Sequence, residues 1–406
     1  MDLVQRKHYT PGLDESIKRE KLKEFALTGM MRTLDPYSAY IPPKEKVKMQ
    51  ESLDQAFAGI GVEIIIDPRT QALTVAGVFP DAPAQKAGIR SGDVILMING
   101  ESAQGFTVNQ AQQRMRGEPG TVVTLKALHT GQREPTDIEI VRQVIPTQSV
   151  VGERRRADGR WNYYLPKHPQ YAYLKINSFG QRTADEIAWL LPQFVKRGLK
   201  GLILDLRDNP GGTLSGAVGV CNLFIEENGL IVSLHSKNDV EEFRAYEGPK
   251  YQKIPLAVLI NGESASASEI VASCLQDHAN EKTADGKTLK VAVIGSRSFG
   301  KGTVQDINEL DRNQGAIKLT IASYRRPNGE NIHRNAETQQ TDQWGVKPDP
   351  GREVSLSDDD EQQLRRWRNA RGMSYNASLP GDWPVNSDPT VTDKAIGKAV
   401  EFFQGK

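Results

Sequence analysis

Histidine and cysteine are scarce in this chain, with six and two among 406 residues. His8, His129, His168, His235, His278 and His333 sit in no recognisable motif, and neither His-Glu-x-x-His nor clustered Cys/His ligands occur. The sequence therefore gives no basis for zinc hydrolysis or dithiol exchange, and no metal or other cofactor is expected. Cys221 and Cys274 lie in apolar surroundings without a Cys-x-x-Cys spacing; two buried thiols are expected, or a single disulfide if the protein is exported. No apolar run approaches the ~18 residues of a membrane span. The start, Met1 to His8, lacks the apolar core of a signal peptide, so the chain as given reads as soluble. Excess charge is missing too: 52 basic against 51 acidic residues leave a net charge of +1, and no electrostatic case for nucleic acid or an anionic membrane. What remains is an ordinary globular composition, 38% hydrophobic and 25% charged, long enough for two or three domains.

The chemistry is concentrated between Ile254 and Gln305. An apolar strand, Ile254 to Ile260, ends at Asn261-Gly262, and Ser264-Ala-Ser-Ala-Ser-Glu269 then opens a helical pattern carried by Ile270, Val271, Cys274 and Leu275. A strand-to-helix turn holds a nucleophile up and out, and the helix N-terminus offers free N–H groups and positive potential to an oxyanion. A second apolar strand, Val291 to Ile294, leads into Ser298-Phe-Gly-Lys-Gly-Thr-Val-Gln305, with a lysine between two glycines. Serine requires a base, and the histidines supply none in a motif; a Ser–Lys pair is the variant that needs no histidine. Its amine must be neutral, which means lowering a lysine from about 10.4 to near 7, or about 4 kcal/mol of differential solvation and charge effects. Gln305, four residues beyond Lys301, is placed to orient that amine by accepting a hydrogen bond. The bland alternative is a small-residue helix start and a surface turn.

These two motifs in this order resemble the carboxy-terminal processing peptidases, or tail-specific proteases, which use a Ser–Lys dyad. The resemblance implies that Ser266 is the nucleophile, Lys301 the base and Gln305 its partner. It further implies an oxyanion donor from the turn Arg207-Asp-Asn-Pro-Gly-Gly212, namely the Gly212 N–H, with the Ala267 N–H as the second. Read from the residues alone, that Gly-Gly turn is either a strand-end cluster of N–H groups or only a tight strand-to-helix connection. One departure is a longer link between the motifs, where Asn280 to Lys287 reads as a polar surface insertion. Family members are usually exported, so the resemblance implies an extracytoplasmic location such as the bacterial periplasm or cell envelope.

Four regions are expected. Residues 1–56 form an N-terminal helical arm, with an amphipathic helix from Asp14 to about Leu34 closed by Leu34-Asp-Pro-Tyr-Ser-Ala-Tyr40, which also resembles the processing peptidases but needs to be no more than packing. Residues 57–143 resemble a PDZ domain, through Phe57-Ala-Gly-Ile-Gly-Val62 and Asp81 to Gly100. Such domains add an extended C-terminus as a strand and hold its carboxylate on backbone N–H groups, which places apolar substrate tails at Gly59, Ile60, Gly61 and Val62. The groove helix runs from Thr107 to Arg116; Arg116 is either a contact that reports a bound tail to the rest of the chain or a solvated helix-end cation. Residues 144–350 alternate strand and helix, with a capping box at Thr183-x-x-Glu186 and strands at 202–206, 230–234, 254–260, 291–294 and 316–321 in one mixed sheet. The resemblance makes this half a crotonase-like βαβ catalytic core. Residues 351–406 form a charged extension, expected as a solvated helix or docking surface. The class is thus multidomain α/β and α+β, and the function a serine endopeptidase acting on protein tails. The competing readings are a catalytically inactive PDZ adaptor that only binds tails, and an acyl-CoA enzyme of crotonase type, which would give a PDZ domain and a Ser–Lys pair no purpose. Oligomeric state is open, a homo-oligomer included.

Overall fold

The computed structural model describes residues 19–156, 160–246, 251–279, 289–311, 314–372 and 392–406. The expected insertion at Asn280 to Lys287 and the first turns of the N-terminal helix lie outside them. A six-stranded sheet forms the centre of the larger half, with Val150–Val151, His168–Ile176, Gly201–Asp205, Leu256–Ile260 and Val291–Gly295 in spatial order and Tyr164–Leu165 paired to the second of these. The last four run parallel, with Leu204 opposite Val258 and Ile260 opposite Gly295. Their apolar residues run without alternation because both faces are covered. Helices Thr183–Lys196, Leu214–Asn222 and Ala267–Asp277 bury Leu191, Phe194, Val220, Cys221, Val271 and Cys274 on one face. Against the other face lies the last helix, Lys394–Phe403, through Ala395, Ala399 and Val400, which meet Tyr173, Ile203, Leu259 and Ile294. Cys221 and Cys274 are buried and form no disulfide with each other.

Two sequence expectations need correction here. Residues 230–236 and 316–325 do not join the parallel sheet; they belong to a separate antiparallel sheet ordered Ala39–Ile41, Ala316–Arg325, Leu230–Ser236, Val240–Arg244, with Thr303–Glu309 paired to Ala316–Arg325. Their partly exposed side chains fit a sheet with one wet face, a distinction that strand propensity alone does not make. The Thr183/Glu186 capping box is also absent, since helix Thr183–Lys196 has Arg182 as N-cap and no side-chain cap. Glu186 instead accepts hydrogen bonds from the Val150 and Ser149 N–H groups and from Gln55, tying the helix to the chain that enters this half.

The smaller half is a sheet ordered Val62–Ile66, Leu73–Val78, Val94–Ile98, Val122–Leu128, Thr136–Val141. Helix Val108–Met115, closed at its start by a Thr107/Gln110 capping box, packs Ala111 and Met115 into its core. Entering and leaving strands, Ala56–Gly59 and Gln143–Pro146, pair antiparallel as a two-stranded ribbon, with Phe57 opposite Ile145. A groove of about 270 Å³ follows the open edge of Val62–Ile66 beside the helix, lined by Gly59, Ile60, Gly61, Val62, Met115 and Arg116 among others. Gly61 has φ +78°, and a Cβ there would sit 2.4 Å from that of Ala82, so only glycine fits.

Candidate active site

Three strand ends converge. Strand Gly201–Asp205 passes into Arg207-Asp-Asn-Pro-Gly-Gly212, its neighbour Leu256–Ile260 into Asn261 to Ser266, and Val291–Gly295 into Ser298 to Gly302. Carboxyl ends of adjacent parallel strands are where open α/β sheets build sites, because the helices that follow aim their free N–H groups there. Ser266 stands at the N-cap of helix Ala267–Asp277 with φ +56° and ψ −116°. A non-glycine residue in that conformation stores about 1–3 kcal/mol of strain, so its surroundings must hold it.

They do so through one buried carboxylate. Glu269 Oε2 accepts the N–H of Ser266 at 2.8 Å and of Lys301 at 2.9 Å, while Oε1 accepts the Gly300 N–H at 2.7 Å and the Ser298 hydroxyl at 2.6 Å. Burial pushes its pKa up to about 6, and these hydrogen bonds, which favour the ionised form, restrain the rise. From the other side the buried Tyr324 hydroxyl lies between two carbonyls, 3.1 Å from that of Ser266 and in close contact with that of Lys301. The Phe299 N–H closes the union on the Ser264 carbonyl at 2.9 Å. Thus the two motifs, thirty-five residues apart, are fastened main chain to main chain.

Lys301 is half-buried, its amine 5.5 Å from the centre of the Tyr37 ring. Burial and the nearby Lys318 cation hold its pKa below the ordinary lysine value, with Glu269 opposing. Among the described residues the amine makes no recorded hydrogen bond or ion pair. Gln305 lies on the adjoining strand, but its amide nitrogen donates to Thr303 at 2.9 Å and Thr320 at 3.2 Å rather than reaching Lys301 in this structure. Thr320 in turn donates to Asp35 at 3.0 Å, and Asp35 accepts the Tyr37 and Ser38 N–H groups. The Leu34–Tyr40 segment is therefore more than packing: its turn puts the Tyr37 ring against the lysine. His333, whose Nδ1 is 3.4 Å from the Gly302 nitrogen, also borders the loop.

Gly211 and Gly212 have φ of +105° and +148°. A Cβ on Gly211 would lie 2.7 Å from that of Ser266, and one on Gly212 2.0 Å from the Phe179 carbonyl oxygen, so both positions exclude side chains. The neighbouring N–H groups are used structurally, Gly211 to Asn209 Oδ1 and Thr213 to the Phe179 carbonyl. Those of Gly212 and Ala267 donate to no acceptor among the described residues. Gly59 to Val62 stand together at the groove of the smaller half, away from Ser266 in the chain's other unit. Arg116, the C-cap of the groove helix, is partly exposed but not unpartnered: it contacts Glu51 of helix Pro43–Leu53 and stacks 4.9 Å over Phe57 of the ribbon.

Sequence reading missed Glu269, Tyr324 and Tyr37. Glu269 stands in the serine motif itself, three residues past Ser266, and its fully buried position in an otherwise apolar helix face was the available signal. Tyr324 carries no local signature, since its partners are distant in sequence, and Tyr37 stood in the quoted Leu34–Tyr40 segment without any sign of the distant lysine it faces.

Residues 170–350 match the family model of Peptidase family S41, and residues 74–128 that of a PDZ domain. The chain is 38% identical over 319 residues to a carboxy-terminal-processing protease of Bartonella bacilliformis, covering 77% of this chain and 67% of the relative. It is 33% identical over 330 residues to the carboxy-terminal processing protease CtpA of Bacillus subtilis, covering 81% and 63%. A solved photosystem II D1 C-terminal processing protease aligns over 93% of this chain and 91% of its own with a TM-score of 0.44 and 23% identity. The chain belongs to the S41 peptidases. It is a serine-type peptidase bearing a PDZ domain, which sets aside the inactive adaptor.

Proposed function

We propose that this peptidase cleaves protein substrates whose apolar C-terminal tails it takes as an added strand on Val62–Ile66, the tail carboxylate meeting the N–H groups of Gly59 to Val62. Neutral Lys301 removes the Ser266 hydroxyl proton as Oγ attacks the scissile carbonyl, and the N–H groups of Gly212 and Ala267 receive the oxyanion. The lysine then returns its proton to the leaving amine, and water, activated by the same amine, releases the acyl group. The observation that carries this reading is the Glu269 carboxylate accepting the main-chain N–H of both Ser266 and Lys301, which gives a fixed frame to a nucleophile and a base. The unused Gly212 and Ala267 donors and the lowered Lys301 pKa support it. Gln305 is assigned a lesser role, ordering the Thr320–Asp35 contact behind the base or turning to the amine when substrate is bound. Arg116 is proposed to couple the tail groove to the helix Pro43–Leu53.

The proposed division of the chain is a helical arm to residue 56, the PDZ domain over 57–143, a crotonase-like βαβ core over 144–350 and a C-terminal extension beyond. Extracytoplasmic placement is proposed from the family resemblance, to be tested by cell fractionation, and a homo-oligomer is a proposal to be tested by light scattering. The deciding experiment is turnover of a protein with an apolar tail by Ser266→Ala and Lys301→Ala. Both are expected to lose activity by roughly 10⁴-fold or more while remaining folded. Substantial turnover by either folded variant would remove the dyad assignment.

A further inference from the structure

The helix of the charged extension, exposed on its outer face, is docked against the catalytic turn. Helix Asp358–Gly372 buries Leu364 completely and places Glu361, Arg365 and Arg368 at spacings of four and three residues, on one helical face. That face meets Asp208, which lies within the turn that ends in Gly211-Gly212. Arg365 contacts Asp208 Oδ1 at 2.8 Å and Arg368 contacts Oδ2 at 3.0 Å. Asn261, at the root of the nucleophile turn, donates its side-chain amide to both Asp208 at 3.0 Å and Glu361 at 2.8 Å, and its Oδ1 accepts the Asp208 N–H at 2.9 Å. Asp208 itself has φ +63°, in the left-handed region that aspartate enters more readily than most non-glycine residues.

The next residue transmits this position. The Asn209 carbonyl accepts the Ala265 N–H at 3.0 Å and the Ser268 hydroxyl at 2.9 Å, and its side-chain oxygen accepts the Gly211 N–H at 2.9 Å. We infer that helix Asp358–Gly372 is a clamp whose Arg365 and Arg368, acting through Asp208, set the spacing between the Gly212 and Ala267 oxyanion donors. These are positioning residues, and the inference rests on the dyad and oxyanion reading above. The carboxylate is a fit partner: burial works to raise the Asp208 pKa, but the Asn261 bond and the Lys175, Arg368 and Arg365 cations outweigh it and hold the group below the usual carboxylate range. The last helix joins the same network, since Asp393 receives Arg207 at 2.9 Å and Arg368 at 3.8 Å. An oxyanion donor displaced by a fraction of an ångström stabilises the transition state less while leaving ground-state binding intact, so the effect belongs in kcat.

The test uses the full chain and a small peptide substrate, with Arg365→Ala, Arg368→Lys, Asp208→Asn and the Asp208→Asn/Arg365→Ala double variant, and Ser266→Ala as control. Arg365 is about half exposed, so its truncation leaves the fold intact. Expected results are a fall in kcat of about tenfold for Arg365→Ala with KM within about twofold, and no further loss when Arg365→Ala is added to Asp208→Asn. Binding of a peptide boronate, whose tetrahedral anion occupies the oxyanion position, falls in parallel, while binding of the corresponding cleaved peptide does not. A merely structural helix would lower the melting temperature and leave kcat and boronate affinity unchanged well below it; that result, or a loss confined to KM, overturns the clamp. Turnover by Ser266→Ala would instead overturn the dyad reading, so the two failures are distinguishable.

Discussion

At the scale of single residues, the candidate site is held by a carboxylate to which the proposed mechanism assigns no proton transfer. Glu269 has its pKa raised from 4.5 to about 6, so the fold disfavours its charge. Its contribution to stability is present below about 4.5 and is lost as pH rises through about 6; against Glu269→Gln, whose side chain does not titrate, the parent should gain about 2 kcal/mol in denaturant titrations between pH 7.5 and 4.5. At pH 7.5 the glutamine turns an N–H₂ toward two of the four donors and leaves at least one buried group unpaired, about 1–3 kcal/mol, so kcat should drop roughly 10- to 100-fold. Unaltered turnover by a folded Glu269→Gln would mean that the shared carboxylate is not needed. Lys301 gives a second prediction with a definite sign. In the proposed mechanism its neutral form is the base, so kcat/KM should rise with pH along a limb more acidic than a free lysine would give. Lys318→Gln removes a cation that keeps the amine neutral, so that limb should move to higher pH, and an unmoved profile would discount the Lys318 effect. Ser266 and Lys301 could be singled out as candidates in the sequence because each sits in a local turn motif. Glu269 could not, since its meaning depends on donors that arrive from 29 to 32 residues away, the Ser298 hydroxyl and the Gly300 and Lys301 N–H groups.

Elements were readable to the extent that periodicity decides them. The buried strand Gly201–Asp205, the helix that follows Ser266 and the groove helix stand where the apolar spacing put them. Assignment of strands to sheets was not readable, because Leu230–Ser236 and Ala316–Arg325 are defined by partners far along the chain. The same limit hid the purpose of the Leu34–Tyr40 segment. Its short strand, Ala39–Ile41, pairs with Ala316–Lys318 and so brings Tyr37 to the lysine. Replacing Tyr37 with alanine is expected to open the base to water, raising its pKa and shifting the rising limb of the pH profile to higher pH, whereas Tyr37→Phe keeps the ring and should leave the limb in place. Identical profiles for the two variants would show that the ring does not shield the amine.

Across the whole molecule, the question is whether the PDZ unit only captures tails or also sets the state of the catalytic half. The Arg116 contacts to Glu51 and Phe57 give it a physical route to the arm, and the arm reaches Lys301 through Tyr37. Coupling along that route predicts that Arg116→Ala changes kcat for a short peptide with no tail, by about two- to tenfold, as well as for tailed proteins. If the short peptide is cleaved at the parent rate and only tailed proteins suffer, the unit is a tether. The ribbon of Ala56–Gly59 and Gln143–Pro146 has a consequence of another kind. Because incoming and outgoing strands are hydrogen-bonded neighbours, the inserted unit begins and ends at nearly the same place, with opposed Cα atoms about 5 Å apart. Everything between Ile60 and Arg142 can thus be regarded as a cassette plugged into a socket: a two-residue turn across the ribbon would close the host chain without strain, and a recognition unit of different taste could be exchanged there while the hydrolytic machinery is inherited unchanged.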